Sequence, residues 1–385
     1  EGRKHSLFNY INMDPDKFTA EFVDNFAYYQ ELIRSNLRGG EVVNTRPEIM
    51  LIERETVVDL AEIYDRIIAR YNGDVLNIPL KSFFGNITRR NNVRRKEPSL
   101  ILYDKKININ QMRVLYNAMK YPVTFVQGPP GTGKTQTIVN VVLSAFYNGK
   151  TVLVCSSNNK PVDGIVEKLK FTYNGEKIDF PYLRLGNVGD VKKATEKIRQ
   201  LYRCNSGKVV KDFLLEKIKG SNDDKNVELI KLLNNQEKRV EIEECIENSQ
   251  RLIRSFKNNS SRIIEIVKKR VEQLKRELEG IPEATNEQIV SLFQPVCENH
   301  QLSQFLFFKS LQYIEKLKKP RFAELIRICN IEDPDERVGQ FNLWTQNDDH
   351  IKLLTEVFPV LFSTNISSRR LGGDEFNFNL VIMDE

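Results

Sequence analysis

The chain has 385 residues, 40% of them hydrophobic and 29% charged, with 22 Phe and 13 Tyr. That length predicts about two to three domains, and the aromatic content excludes a disordered chain. No run of eighteen apolar residues offers a membrane span, and a net charge of +6 is compatible with a polyanionic partner without requiring one. The five cysteines are scattered, none in a CxxC pair, and only three histidines accompany them. Free thiols, no metal-ligand spacing and a cytoplasmic location are the expectation.

Residues 1–105 read as a mainly helical accessory region. Asp14-Pro15 can start a helix carrying Phe18, Phe22, Phe26 and Leu32, ended by Gly39-Gly40. A second helix is predicted over about 55–71, with Val58, Leu60, Ile63 and Ile67. A compact apolar stretch, Ile78 to Asn86, precedes a basic loop of Arg89, Arg90, Arg94, Arg95 and Lys96, expected to be solvated.

Over 106–200 the pattern changes to short apolar runs alternating with helices. Strands are predicted at Val123–Val126, Thr151–Val154 and Tyr182–Leu185, with a helix from Lys134 to Phe146 closed by Asn148-Gly149. This is βαβ logic, and it implies an α/β fold with a parallel sheet.

Residues 201–354 read as a helical insertion. Ile264, Val267, Val271, Leu274, Leu278 and Ile281 repeat at 3-4 spacing, and Ile242, Cys245, Leu252 and Phe256 keep a similar register. An antiparallel hairpin with a coiled-coil seam is predicted, either a solvated structural arm or a docking site for a protein partner. The sheet pattern resumes over 355–385 with Phe358–Ser363 and Leu380–Asp384, so the helical block interrupts one α/β domain. The start at Glu1 and the stop just after an apolar run lead us to expect part of a longer protein.

The strongest chemical signal is Gly128-Pro129-Pro130-Gly131-Thr132-Gly133-Lys134-Thr135, a full GxxxxGK[ST] after an apolar run and before a helix. Glycines let successive N–H groups wrap phosphates, and the helix N-terminus adds partial positive charge. Lys134 is expected to reach the β- and γ-phosphates, and Thr135 to place its hydroxyl on Mg²⁺. Asp384-Glu385, after the last apolar run, is the natural second half: Asp384 for Mg²⁺, Glu385 to orient and deprotonate a water.

The run at 126–137, which continues through Gln136, resembles the ATP-binding loop of superfamily 1 helicases, especially the nonsense-mediated-decay helicase-like (1B) branch. Asn108-Ile109-Asn110-Gln111 resembles its upstream Gln motif, which implies that Gln111 reads the adenine. Val152 to Asp163 is similar to motif Ia, which implies that Ser157 and Asn158 contact the backbone of single-stranded DNA or RNA. Phe362-Ser363-Thr364 resembles the strand preceding motif II, and Phe376 to Glu385 resembles motif II itself. The resemblance covers about 106–190 and 355–385. It implies a RecA-like P-loop NTPase domain with ATP and Mg²⁺ as cofactors, motifs of Walker A and Walker B type, and a helicase or translocase activity. In such enzymes a second RecA-like domain supplies arginines that complete the ATP site, so these residues alone are expected to bind nucleotide better than they hydrolyse it.

Two other readings stay open. A P-loop, a helical hairpin and an acidic strand end are also the layout of SMC-type ATPases, and Leu371-Gly372-Gly373 is similar to part of their signature. Only about ten residues separate it from Asp384, however, too few for the helix that must follow. A nucleotide-gated scaffold without catalysis, its hairpin recruiting a partner, is the other alternative.

Overall fold

The computed structural model describes residues 21–37, 61–72, 76–84, 97–103, 106–204, 215–217, 219, 223–255, 262–292, 296, 298–373 and 375–384. The basic loop at 89–96, the predicted start of the first helix at Asp14 and the terminal Glu385 lie outside them. The chain divides into two compact units, Glu1–Val75 and Leu76–Glu385.

In the first unit, helix α1 spans Phe26–Ser35 and α2 spans Ala61–Asn72. Within the described part of the helix expected from Asp14 to Gly39, a turn at residues 22–25 separates helical Glu21 from α1. Tyr29 is buried, and its hydroxyl donates to Glu21 at 2.8 Å.

The second unit opens with a short helix, α3 (Ile78–Phe83), started by Pro79 and capped by Asn77. Helix α4 (Ile109–Lys120) and helix α5 (Lys134–Tyr147) follow. Next come strand β1 (Val152–Ser156), helix α6 (Asn159–Lys168), a small hairpin of β2 (Thr172–Tyr173) and β3 (Glu176–Lys177), and strand β4 (Tyr182–Arg184). Helices then dominate. They are α7 (Val188–Cys204), α8 (Asp223–Ser255), α9 (Arg262–Glu279), α10 (Asn286–Leu292), α11 (His300–Glu315), α12 (Ala323–Cys329), α13 (Pro334–Trp344) and α14 (Asp348–Thr355). Strands β5 (Val360–Thr364) and β6 (Leu380–Asp384) complete the series.

The main sheet has the order β4-β5-β1-β6, and every neighbouring pair is parallel. Residues far apart in sequence are therefore sheet neighbours, as the interrupted-domain reading requires. Side chains alternate across it. Val152, Val154, Val360 and Phe362 enter one core with α4 and α5, while Leu153, Cys155, Leu183 and Leu361 enter a second with α7 and α12–α14. Much of the helical block thus covers a face of the sheet. Covering both faces is what a parallel sheet needs.

The segment Val123–Val126 departs from expectation. It carries no strand pairing among the described residues, and Phe125 is 87% exposed. Apolar β-branched composition is not sufficient for a strand; a neighbouring ladder must accept its backbone.

Helix α5 meets that requirement in another way. Asn140, Ser144 and Asn148 recur at i+4 spacing along or just past it, forming one polar row. Asn140 Oδ1 accepts from Tyr103 N, Ser144 Oγ accepts from Ile101 N, and Asn148 Oδ1 accepts from Ser99 N, at 2.8, 2.8 and 3.1 Å. The row holds segment 99–103 as a strip against the helix, satisfying backbone that no sheet reaches.

Helices α8 and α9 pack on each other as an antiparallel hairpin, since Arg239 of α8 donates to the carbonyls of Leu278 and Ile281 at the far end of α9. The seam of α9 is as expected: Ile264, Val271 and Leu274 are buried and Val267 and Leu278 half-buried. The register on α8 differs. Cys245 and Leu252 are exposed, while Ile242 is buried and Ile246, Ser249 and Ile253 are half-buried. The 4-3-4 set built on three isoleucines offers the partner more apolar surface than the set through Cys245.

Candidate functional site

The loop at 128–133 is set by backbone geometry. Gly131 and Gly133 have φ of 85° and 82°, left-handed values that L side chains rarely adopt. Gly133 is also the N-cap of α5, so the helix begins directly at Lys134. Thr132 closes the turn, its Oγ1 donating to Pro129 O at 2.8 Å. A Cβ at Gly128 would lie 2.8 Å from Thr132 Oγ1, so a side chain there would displace the hydroxyl that closes the turn. No acidic residue sits in the first turn of α5, so that turn itself does not offset the helix's partial positive end.

Gln111 is built into this loop. Asn108 caps α4 in a reciprocal box: its Oδ1 accepts from Gln111 N at 3.0 Å, and Gln111 Oε1 accepts from Asn108 N at 3.1 Å. The Gln111 amide then donates through Nε2 to Thr132 O at 2.8 Å. A Cβ on Gly133 would fall 2.5 Å from that same Nε2. One amide hydrogen and one lone pair of Gln111 stay uncommitted by these bonds.

The parallel ladder aligns three polar residues at the carboxyl edge of the sheet. Ser156 of β1 stands opposite Thr364 of β5 on one side and opposite Asp384 of β6 on the other. In open α/β sheets this is the edge where ligands bind. Ser156 is buried; its Oγ accepts from Asn158 N at 3.3 Å and its carbonyl from Asn365 N at 2.9 Å. Ser157 and Asn158 are exposed on the turn into α6, and the Asn158 side chain makes no capping bond to that helix.

Arg184, absent from the sequence-based candidates, braces this edge. Its Nε pairs with Asp163 at 3.0 Å, one Nη donates to Asn159 Oδ1 at 2.6 Å, and Asp190 stands 3.5 Å away. Those partners lie on α6 and at the start of α7, so Arg184 fixes where the turn at 157–158 emerges. The signal in the sequence was a single cation inside the apolar run Tyr182 to Leu185.

The loop fits a nucleotide polyphosphate on three grounds: positive-φ glycines, the open N-terminus of α5, and the enclosed Gln136 Nε2, which has no hydrogen bond among the described residues. Asp384 supplies a carboxylate at the carboxyl edge of the sheet. Among the described residues there is no cluster of three His, Cys, Asp or Glu for a structural metal, and no helix long and apolar enough to cross a membrane. Cys155, Cys204, Cys245 and Cys329 are free thiols.

Comparison with known proteins agrees with this geometry. The family profile described as an AAA domain matches residues 106–301. DNA polymerase alpha-associated DNA helicase A of Schizosaccharomyces pombe is 33% identical over 86 residues, 22% of this chain and 12% of its own length. DNA-binding protein SMUBP-2 of Mus musculus is 37% identical over 73 residues, 19% of this chain and 7% of its own. The Regulator of nonsense transcripts 1 homolog of Drosophila melanogaster is 40% identical over 67 residues, 17% of this chain and 6% of its own. The chain thus spans about an eighth or less of the length of these relatives in the matched regions. No solved structure matches significantly. With a P-loop opening α5, an all-parallel sheet and these similarities, the chain belongs to the AAA-domain family and is a superfamily 1 helicase-like, RecA-like P-loop protein.

Proposed function

We propose that this chain binds Mg–ATP at the 128–136 loop and forms the ATP-binding core of a helicase or translocase acting on single-stranded nucleic acid. The observation that carries the reading is the left-handed pair Gly131 and Gly133 opening α5 without any acidic residue in its first turn. Bound ATP supplies a phosphoryl group whose transfer to water releases free energy. The loop N–H groups hold the phosphates, and the Lys134 ammonium neutralises their charge. The Thr135 hydroxyl and the Asp384 carboxylate hold Mg²⁺, and the Glu385 carboxylate orients a water and accepts its proton. The uncommitted amide hydrogen and lone pair of Gln111 recognise the adenine edge.

In this reading 106–200 and 355–385 are the RecA-like domain, 201–354 the helical insertion and 1–105 an accessory region. Ser157 and Asn158 contact the strand's backbone without regard to sequence, as a moving enzyme needs. Hydrolysis draws on arginines from a second RecA-like domain. The test is calorimetry of Mg–ATP and Mg–ADP binding to the wild type and to Lys134→Ala. Loss of binding in the variant is expected, and unchanged affinity refutes the site. Single-strand stimulation of hydrolysis, measured where a second RecA-like domain is also present, separates a motor from a nucleotide-gated scaffold.

A further inference from the structure

Helix α4 touches two distant parts of the molecule. At its first turn Gln111 donates to the phosphate-loop carbonyl of Thr132. Along its flank, Arg113 Nε pairs with Glu237 Oε2 of α8 at 2.9 Å, and Asn117 Nδ2 donates to Glu237 Oε1 at 3.2 Å. Glu237 therefore commits both carboxylate oxygens to one face of α4, since Arg113 and Asn117 are four residues apart. A turn away, the Tyr116 hydroxyl and the Lys120 ammonium both donate to Asn234 Oδ1 of α8 at 2.8 Å.

This clasp sits at the base of the hairpin. Two residues beyond Glu237, Arg239 grips the end of α9, and Asn286 at the start of α10 accepts from Ile109 N of α4 at 2.9 Å. The Arg113 and Glu237 side chains are each 19% exposed, so the pair is largely removed from water. Removing one partner of such a pair leaves a poorly solvated charge on the other. Continuous bonding thus runs from the hairpin base through one rigid helix to the loop.

We infer that Glu237 is a positioning residue for the phosphate loop, acting through α4 and Gln111, so that the base of the hairpin sets how firmly the loop holds a phosphate. The inference rests on reading 128–136 as the nucleotide site. It makes the hairpin a regulator of that site: a partner that bends or stiffens the arm changes nucleotide affinity without touching the loop.

The test is a double-substitution cycle on the whole chain, read by Mg–ADP titration and by amide hydrogen exchange over 128–137. Glu237→Gln, which keeps an acceptor for Asn117 but removes the charge facing Arg113, is expected to weaken Mg–ADP about 3- to 10-fold and to speed exchange in the loop. In a Gln111→Ala background the same change is expected to alter neither readout. Arg113→Met, reaching the pair from the other side, is expected to behave as Glu237→Gln does. Unchanged affinity and exchange in Glu237→Gln overturn the proposal. Equal weakening in both backgrounds overturns it too, because a general loss of stability does not route through Gln111. If Lys134→Ala leaves nucleotide binding intact, the nucleotide reading fails, and the exchange measurement still decides the role of Glu237.

Discussion

Asp384 stands directly across the parallel ladder from Ser156. These residues come from strands more than 200 positions apart, yet both end at the sheet edge where β1 turns into α6. In the proposed site, the Asp384 carboxylate holds the cation shared with the phosphates. Asp384→Asn is therefore expected to remove the Mg²⁺ contribution to nucleotide affinity. Titrations of ADP with Mg²⁺ and with a chelator should differ in the wild type and coincide in the variant.

Gly133 tests the loop from its backbone. Alanine there meets a φ of 82° and places a Cβ 2.5 Å from Gln111 Nε2. The left-handed conformation alone costs about 1–2 kcal/mol with a side chain. Nucleotide affinity should fall about tenfold or more, with the α/β circular dichroism of the chain retained.

Gln111→Ala should relax preference for adenine over guanine nucleotides, since a donor–acceptor pair facing the base is lost. Competition between ADP and GDP for the same site measures it, and an unchanged ratio removes Gln111 from base recognition.

Ser157 and Asn158 carry no charge, so their contacts to a strand differ from ion pairing. Changing both to alanine should weaken binding to a single-stranded oligonucleotide while leaving its salt dependence intact, because the salt slope counts neutralised phosphates. A flatter slope in the variant would mean that the substitutions displaced nearby cations instead.

Lys197 makes stability depend on pH. Its side chain is half-buried, with the ammonium enclosed 3.6 Å from the Tyr182 ring centroid and donating to Tyr182 O at 2.8 Å. Burial pushes its pKa down to about 7, against partial support from Asp179. The unfolded chain then holds more protons than the folded one between about pH 7 and the ordinary lysine value, so stability rises with pH across that window. Against Lys197→Met, which does not titrate, the wild type should gain up to about 1 kcal/mol per pH unit from pH 7.5 to 9.5. Denaturant melts of the pair at several pH values check the sign.

The motif, the α5 helix, the parallel arrangement and the apolar stripe of α9 were legible because each rests on a local pattern of few residues. The turn at Asn174-Gly175 was equally legible, with both residues at positive φ between β2 and β3, yet it is short enough to pass unread. Other features were not local. Val123–Val126 has strand composition but no strand pairing among the described residues, and only the folded chain shows that. The register of α8 depends on what α9 presents, and the bond from Gln111 to Thr132 joins two motifs 21 residues apart. The polar row of Asn140, Ser144 and Asn148 acts through backbone 37 to 49 residues earlier in the chain, which no local pattern reveals.

The outer strand of the sheet has one further consequence. Among the described residues β6 is an edge strand, and its Val381 and Met383 side chains are 45% and 77% exposed on the face away from the α4–α5 core. A rim of backbone donors and acceptors flanked by apolar side chains templates pairing with any extended chain that meets it. Concentrated samples should therefore self-associate through β6. Met383 doubles as a reporter of that event: peroxide converts an accessible thioether to its sulfoxide, and a strand laid along the rim slows the conversion.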